Sequence, residues 1–147
     1  MNREEQPGIY FVGLWLDHIT FQDVESRDER PDNLEFAVNV VRTPVPEVNG
    51  IDITLELSMR GDEGDSPFFL SVGTTGRFVT DTAHPNMDLS AFAKTNGPAL
   101  IMPFVREMVA NITARSRNGP VLMPPVNVAK MLEEQEPQQA ALPPGKA

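Results

Sequence analysis

Residues 51–60, IDITLELSMR, alternate without a break. Ile51, Ile53, Leu55, Leu57 and Met59 fall on one face, and Asp52, Thr54, Glu56, Ser58 and Arg60 on the other. Successive side chains of an extended chain point to opposite sides, so the pattern predicts a β-strand with one face in a core and one in water.

The flanking segments repeat it. Upstream, LEFAVNVV (34–41) puts Leu34, Phe36, Val38 and Val40 together; downstream, PFFLSVGTTGRFVT (67–80) groups Phe68, Leu70 and Val72 before Gly73 and Gly76 interrupt the alternation. A fourth candidate, IYFVGLWLDHITF (9–21), is apolar at Tyr10, Val12, Leu14 and Leu16 and then shifts to Ile19 and Phe21. That change of face predicts a bulge or bend near Asp17. Phe11 and Trp15 make the opposite face of this strand apolar too, so both sides need cover, and a subunit contact would supply it. The connections QDVESRDERPDN, TPVPEVNG and GDEGDSP hold 7 to 12 residues rich in Pro, Gly, Asp and Asn, enough to join antiparallel neighbours without a helical crossover. The expectation is a four-stranded antiparallel sheet whose strand order the spacing leaves open.

The second half changes period. DTAHPNMDLSAFAKTNG (81–97) has no sustained repeat and predicts a long crossover loop with at most one short helical turn. In GPALIMPFVREMVANITARSRNGPVLMPPVN (97–127), Ile101, Phe104, Val105, Met108 and Ile112 recur at spacings of three and four, with Val109 widening the stripe. This helix should start near Pro98 or Pro103, because proline is tolerated in a first turn. It should end about Arg117: Arg115 and Arg117 suit the negative end of the helix dipole, Asn118 and Gly119 supply a left-handed cap, and Pro120 blocks continuation. An extended elbow, VLMPPVN, then leads from Pro125 or Val126 into a short helix carrying Val128, Met131 and Leu132. The fold class is α+β, with one domain over residues 8–134, a flexible 1–7 and a disordered, proline-bearing 135–147 tail too polar to offset the entropy of ordering.

Composition excludes several chemistries. A chain of 147 residues, 40% apolar, can bury a core without staples. The absence of cysteine removes disulfides, thiolate catalysis and Cys-based zinc sites. Net charge is −9, and residues 1–65 hold 15 of the 21 acids but 5 of the 12 bases, a balance that repels nucleic acid and anionic lipid. No apolar run approaches the roughly 20 residues of a membrane span, and MNREEQPG lacks the basic segment and cleavage site of a signal peptide. The expected location is the cytoplasm, without membrane insertion. His18 and His84 are the only histidines and stand outside any HExxH or paired-ligand spacing; Asp17 and His18, adjacent on a strand, point apart. GTTG and GDEG lack a Walker lysine or a Rossmann fingerprint. Neither an enzyme, a metal site nor a cofactor is expected.

The early HITF strand, the IDITLELSM strand, FFLSVGTTGRF and, above all, GPALIMPFVREMVANITARSRNGPVLMPPVN resemble the SecB-type protein-export chaperones over roughly Gly8 to Glu134. The resemblance implies a Greek-key sheet with a long helix and a short final helix, assembled as a homotetramer, a dimer of dimers. It implies an ATP-independent holdase that keeps unfolded polypeptide clients soluble in hydrophobic grooves and hands them to the motor ATPase SecA. Carried over by residue, the groove would be lined by Phe36, Val38 and Val40, by Met87, Leu89 and Phe92, and by Met123, Val128, Met131 and Leu132. Phe11, Trp15, Ile101, Phe104, Val105, Met108 and Ile112 would serve assembly. For Phe36, Val38 and Val40 the pattern alone leaves core and groove open, and for Trp15 buried anchor and interface.

One departure matters. The family docks SecA on acidic side chains of the outer sheet face, and the matching positions here are His18, Gln22 and Ser71, none of them an acid, with Asp17 and Asp23 alongside. SecB-like chaperones dedicated to one partner, such as an antitoxin, are a second expectation, and a non-chaperone acidic oligomeric adaptor is a third.

Overall fold

A computed structural model describes residues 8–61, 66–80, 88–124 and 126–140 of the chain. Four strands, β1 (Ile9–Gln22), β2 (Leu34–Val45), β3 (Gly50–Gly61) and β4 (Phe69–Thr80), form one antiparallel sheet in the order β1-β4-β3-β2. The fourth strand returns beside the first, which is Greek-key connectivity. The predicted strand at 51–60 occupies a central position, and Ile51, Ile53, Leu55, Leu57 and Met59 are all buried on its inner face.

β1 is paired through two irregularities, one between Phe11 and Gly13 and one between Leu16 and His18. Each inserts one extra residue, so apolar positions three apart stay on one side. Ile9, Phe11, Leu14, Leu16, Ile19 and Phe21 lie opposite Thr80, Phe78, Gly76, Thr74, Val72 and Leu70 and share the inner face. The bulge at Asp17 agrees with the sequence reading, and the one at Val12 corrects it. Phe11 belongs to the inner face, its ring 4.6 Å from that of Phe78, whereas Trp15, opposite Thr75, belongs to the outer one.

Helices cover the inner face. The segment expected as a loop contains α1 (Leu89–Lys94), and α2 (Asn96–Ala114) begins before Pro98 and keeps Pro103 in its interior. Gly97, Pro98, Ile101, Met102, Val105, Val109 and Thr113 are its buried residues. Gly97 lets the α2 backbone approach the sheet so closely that a Cβ there would overlap Ile53. Beyond the C-cap at Arg115, Gly119 adopts φ 83°, the left-handed conformation expected of it. The last helix, α3 (Val128–Ala140), is capped by Asn127, whose Oδ1 accepts from the Lys130 amide at 3.0 Å. Its backbone stays helical beyond Glu134, where the sequence reading ended the domain.

A polar clip ties the β1–β2 connection to the end of α2. Arg30 pairs with Asp23 at 2.9 Å and donates to the Ser116 hydroxyl and the Asn118 carbonyl, while Asn118 donates to Asp23 and to the Val24 carbonyl. The guanidinium also lies over the Phe68 ring at 5.9 Å. Segments remote in sequence thus meet at one charged group.

Candidate functional site

The inner face of β2 presents Phe36, Val38 and Val40, opposite Met59, Leu57 and Leu55 of β3. Against the core they form lie Leu89 and Phe92 of α1, Met123 of the elbow, and Val128, Met131 and Leu132 of α3. Eight of the ten groove candidates therefore gather at one apolar cluster, with Phe36 exposed at the strand edge beside it; Met87 lies outside the described residues. The expected trough is not open in the single chain. Val38, Phe92, Met123, Val128 and Leu132 are buried, Val40, Leu89 and Met131 are partly so, and Phe36 on the edge strand is 37% exposed. The physical reason is that the helices spend their own apolar residues on this face: Leu132 shares a recess of about 330 Å³ with Ile51, Ala93, Pro44 and Arg42.

Arg42 is a site residue that sequence reasoning missed. It follows Val40 in the inward register, opposite Ile53, and donates to the Ala93 and Lys94 carbonyls at the C-terminus of α1. A cation there satisfies helix-end carbonyls and complements the dipole. The signal was a charge standing in an otherwise apolar alternating set.

The assembly candidates divide. Ile101 and Val105 have no accessible surface, so their assignment to subunit contacts is corrected: they pack between α2 and the sheet, with Ile101 against Gly76. Phe104 is 44% exposed, and Met108 and Ile112 are partly buried at the rim. Phe104 stacks edge-on to Phe11 at 6.0 Å and, with Met108, Leu14, Trp15 and Leu16, lines a recess of about 220 Å³ between α2 and β1. Thr74 lies in the same recess; it is buried, and its Oγ1 has no hydrogen-bond partner among the described residues. Tyr10, Val12, Leu14, Trp15, Leu16 and Ile19 are all exposed, so this edge strand carries bare apolar surface on both faces.

Beyond Trp15 the outer face of β1 turns polar. His18, Thr20 and Gln22 stand opposite Gly73, Ser71 and Phe69, so the structure brings His18, Gln22 and Ser71 onto one surface. His18 Nε2 lies 3.2 Å from Ser71 Oγ, its ring over Gly73, where any side chain would collide with it. Asp17 accepts a hydrogen bond from the Thr75 hydroxyl at 2.5 Å, and Thr75 meets Thr54 at 2.7 Å. Asp23 is held in the clip with Arg30. Of the two flanking acids, Asp17 thus shares the outer face and Asp23 does not. Further along, Arg77 pairs with Asp52 at 2.7 Å and lies over the Trp15 ring at 5.6 Å. Among the described residues no group of three or more His, Cys, Asp or Glu is placed to hold a metal ion, and no helix is long and apolar enough to cross a membrane.

Comparison with known proteins agrees with this fold. The solved structure of a SecB-like chaperone of Mycobacterium tuberculosis, in complex with a ChAD peptide from the HigA1 antitoxin, superposes with a TM-score of 0.61 at 16% identity, over 80% of this chain and 90% of that one. An uncharacterised protein of Methanocaldococcus jannaschii is 33% identical over 131 residues, 83% of this chain and 81% of its own. The protein-export protein SecB of Hyphomonas neptunium is 24% identical over 88% of this chain and 79% of its own. That of Acidithiobacillus ferrooxidans is 23% identical over 92% and 95%. These relationships support a chaperone role. The family model described as preprotein translocase subunit SecB matches residues 6–139, and with that match over nearly the whole folded region the chain belongs to the SecB family.

Proposed function

We propose that the protein is a non-catalytic, ATP-independent holdase of the cytoplasm that captures unfolded polypeptide along the inner face of β2, with α1 and α3 as the walls of the groove. The observation that carries this reading is the run from Phe36, exposed on an unpaired strand edge, through Val38 and Val40 to the recess where Leu132 of α3 meets Arg42, Pro44 and Ala93. Phe36 offers a client its first apolar contact, the β2 edge offers strand-like hydrogen bonds, and displacement of α3 extends the trough. Burial of client surface contributes about 25 cal/mol per Å² without directional demands, which suits many sequences.

Assembly as a dimer of dimers would cover the β1–α2 recess, where a second copy buries Leu14, Leu16 and Phe104. Phe104→Asp is expected to lower the assembly state of the native protein, because a carboxylate in that recess is costly once a second subunit excludes water. Sedimentation velocity reads the change, and an unaltered mass in the variant would remove this surface from assembly.

The test of function is light scattering from a reduced, aggregating client. Stoichiometric protein is expected to suppress aggregation, and Phe36→Asp to weaken suppression several-fold while the circular dichroism spectrum stays the same. Full aggregation in the presence of the unaltered protein would end the holdase reading.

Delivery to the Sec translocase is the first destination for a client. A second reading, service to one dedicated partner such as an antitoxin, is favoured by the outer face, where His18, Gln22 and Ser71 offer no carboxylate and Asp17 is engaged by Thr75. Calorimetric titration with the zinc-bearing tail of SecA separates the two: measurable binding supports export, and none supports the dedicated partner.

A further inference from the structure

The elbow between α2 and α3 has a path that regular secondary structure does not fix. Pro120, Pro124 and Pro125 lack amide hydrogens, so no helical or sheet ladder can run through it. Two side chains of α2 hold it instead. Thr113, fully buried, accepts a hydrogen bond from the Val121 amide at 2.7 Å while its hydroxyl donates to the Val109 carbonyl at 2.7 Å. Arg106 donates from Nη2 to the Met123 carbonyl at 3.2 Å. Positions 106 and 113 are seven apart, two helical turns, and therefore lie on one stripe of α2. The elbow runs antiparallel along that stripe, gripped near each end. Leu122, between the grips, points away and is 77% exposed, whereas Met123 is buried. Beyond the second grip, α3 meets α2 across a recess of about 260 Å³ lined by Met102, Pro103, Arg106, Val126 and Val128.

We propose that Arg106 and Thr113 are positioning residues that set where α3 lies over the client groove. The inference rests on the holdase reading for the identity of the groove, and on the two backbone grips for the positioning itself. Thr113 is part of the folded core, so its grip is permanent. Arg106 is partly exposed and holds one carbonyl through one charged donor, which makes it the releasable grip: a client that lifts α3 must break this bond or carry the elbow with it. The closed groove binds only to the extent that α3 lifts, and the grip opposes that lifting, so its loss raises the fraction of open groove and strengthens client capture chiefly through faster association.

The test uses the full chain and two readouts. In Arg106→Ala, amide hydrogen exchange within α3, including the Met131 amide that bonds the Asn127 carbonyl, is expected to accelerate about tenfold, as loss of one charge-assisted hydrogen bond permits. Exchange within α2 should stay unchanged. The affinity for a fluorescent, reduced and carboxymethylated α-lactalbumin should rise several-fold through its on-rate. Arg106→Lys, which keeps a cationic donor, should reverse most of both effects. Unchanged α3 exchange in Arg106→Ala overturns the proposal, and so does accelerated exchange with unaltered client affinity. Absence of client binding by the unaltered protein would sink the holdase reading and the groove role of Arg106 together, whereas the exchange measurement alone still decides whether the grip fixes α3.

Discussion

Arg30→Ala is expected to lower the unfolding free energy by about 3 kcal/mol at neutral pH, the lower end of the range for breaking a buried ion pair from one side. The side chains of Arg30 and Asp23 retain 15% and 13% accessibility, so solvent screens part of the charge left behind. The variant would also leave the Asn118 carbonyl and the Ser116 hydroxyl short of a donor. The deficit should shrink in acid. Burial alone pushes the Asp23 carboxyl up, but the guanidinium of Arg30, the Asn118 amide, the Val24 amide and the Ser116 hydroxyl outweigh it and hold its pKa below the ordinary value. A carboxylate lowered in the fold stabilises fully above its unfolded pKa and loses that contribution as pH falls through the ordinary range toward the folded value. Urea midpoints of the two proteins at about pH 7 and about pH 3, on either side of the ordinary carboxylate value, should therefore converge. An equal gap at both would mean that the clip is not what Arg30 provides.

Ile101→Ala should cost about 3.5 kcal/mol, the sum of lost burial and the cavity that remains. Ile101 has no accessible surface and lies against the backbone of Gly76, a place where neither helix nor sheet can collapse readily. The midpoint of denaturation should fall with an unchanged denaturant slope, and the deficit should be independent of protein concentration. A deficit that vanishes at high concentration would put Ile101 at a subunit contact after all, because stabilisation by association follows mass action.

That contrast shows where the sequence was legible. β3 could be read outright because one face is buried and the other solvated, so its alternation is clean. The bulge at Asp17 was visible because a polar residue marks the change of face. The bulge near Val12 was not, because Tyr10, Phe11 and Val12 are all apolar and any of them could have faced inward. α1, with six residues, makes fewer than two turns and cannot display a period. The stripe on α2 was legible as a stripe, but angular positions on a helix do not say where the sheet ends and solvent begins. Ile101 and Val105 fell inside that line and Phe104 outside it. Phe36, Val38 and Val40 could be read as one strand face and the remaining groove candidates followed from the resemblance alone, while how far the helices cover that face depends on how they dock, a tertiary choice that local pattern does not encode.

The return of the last strand to the first has a consequence for biosynthesis. β1 finds its partner through pairs such as Ile9 with Thr80, so a growing polypeptide must be extended past the whole of β4 before its most water-averse strand has anywhere to go. At about 5–20 residues per second, the ribosome leaves Tyr10, Trp15 and their neighbours bare for several seconds in each round of translation. Newborn copies of this protein are thus themselves aggregation-prone for a time.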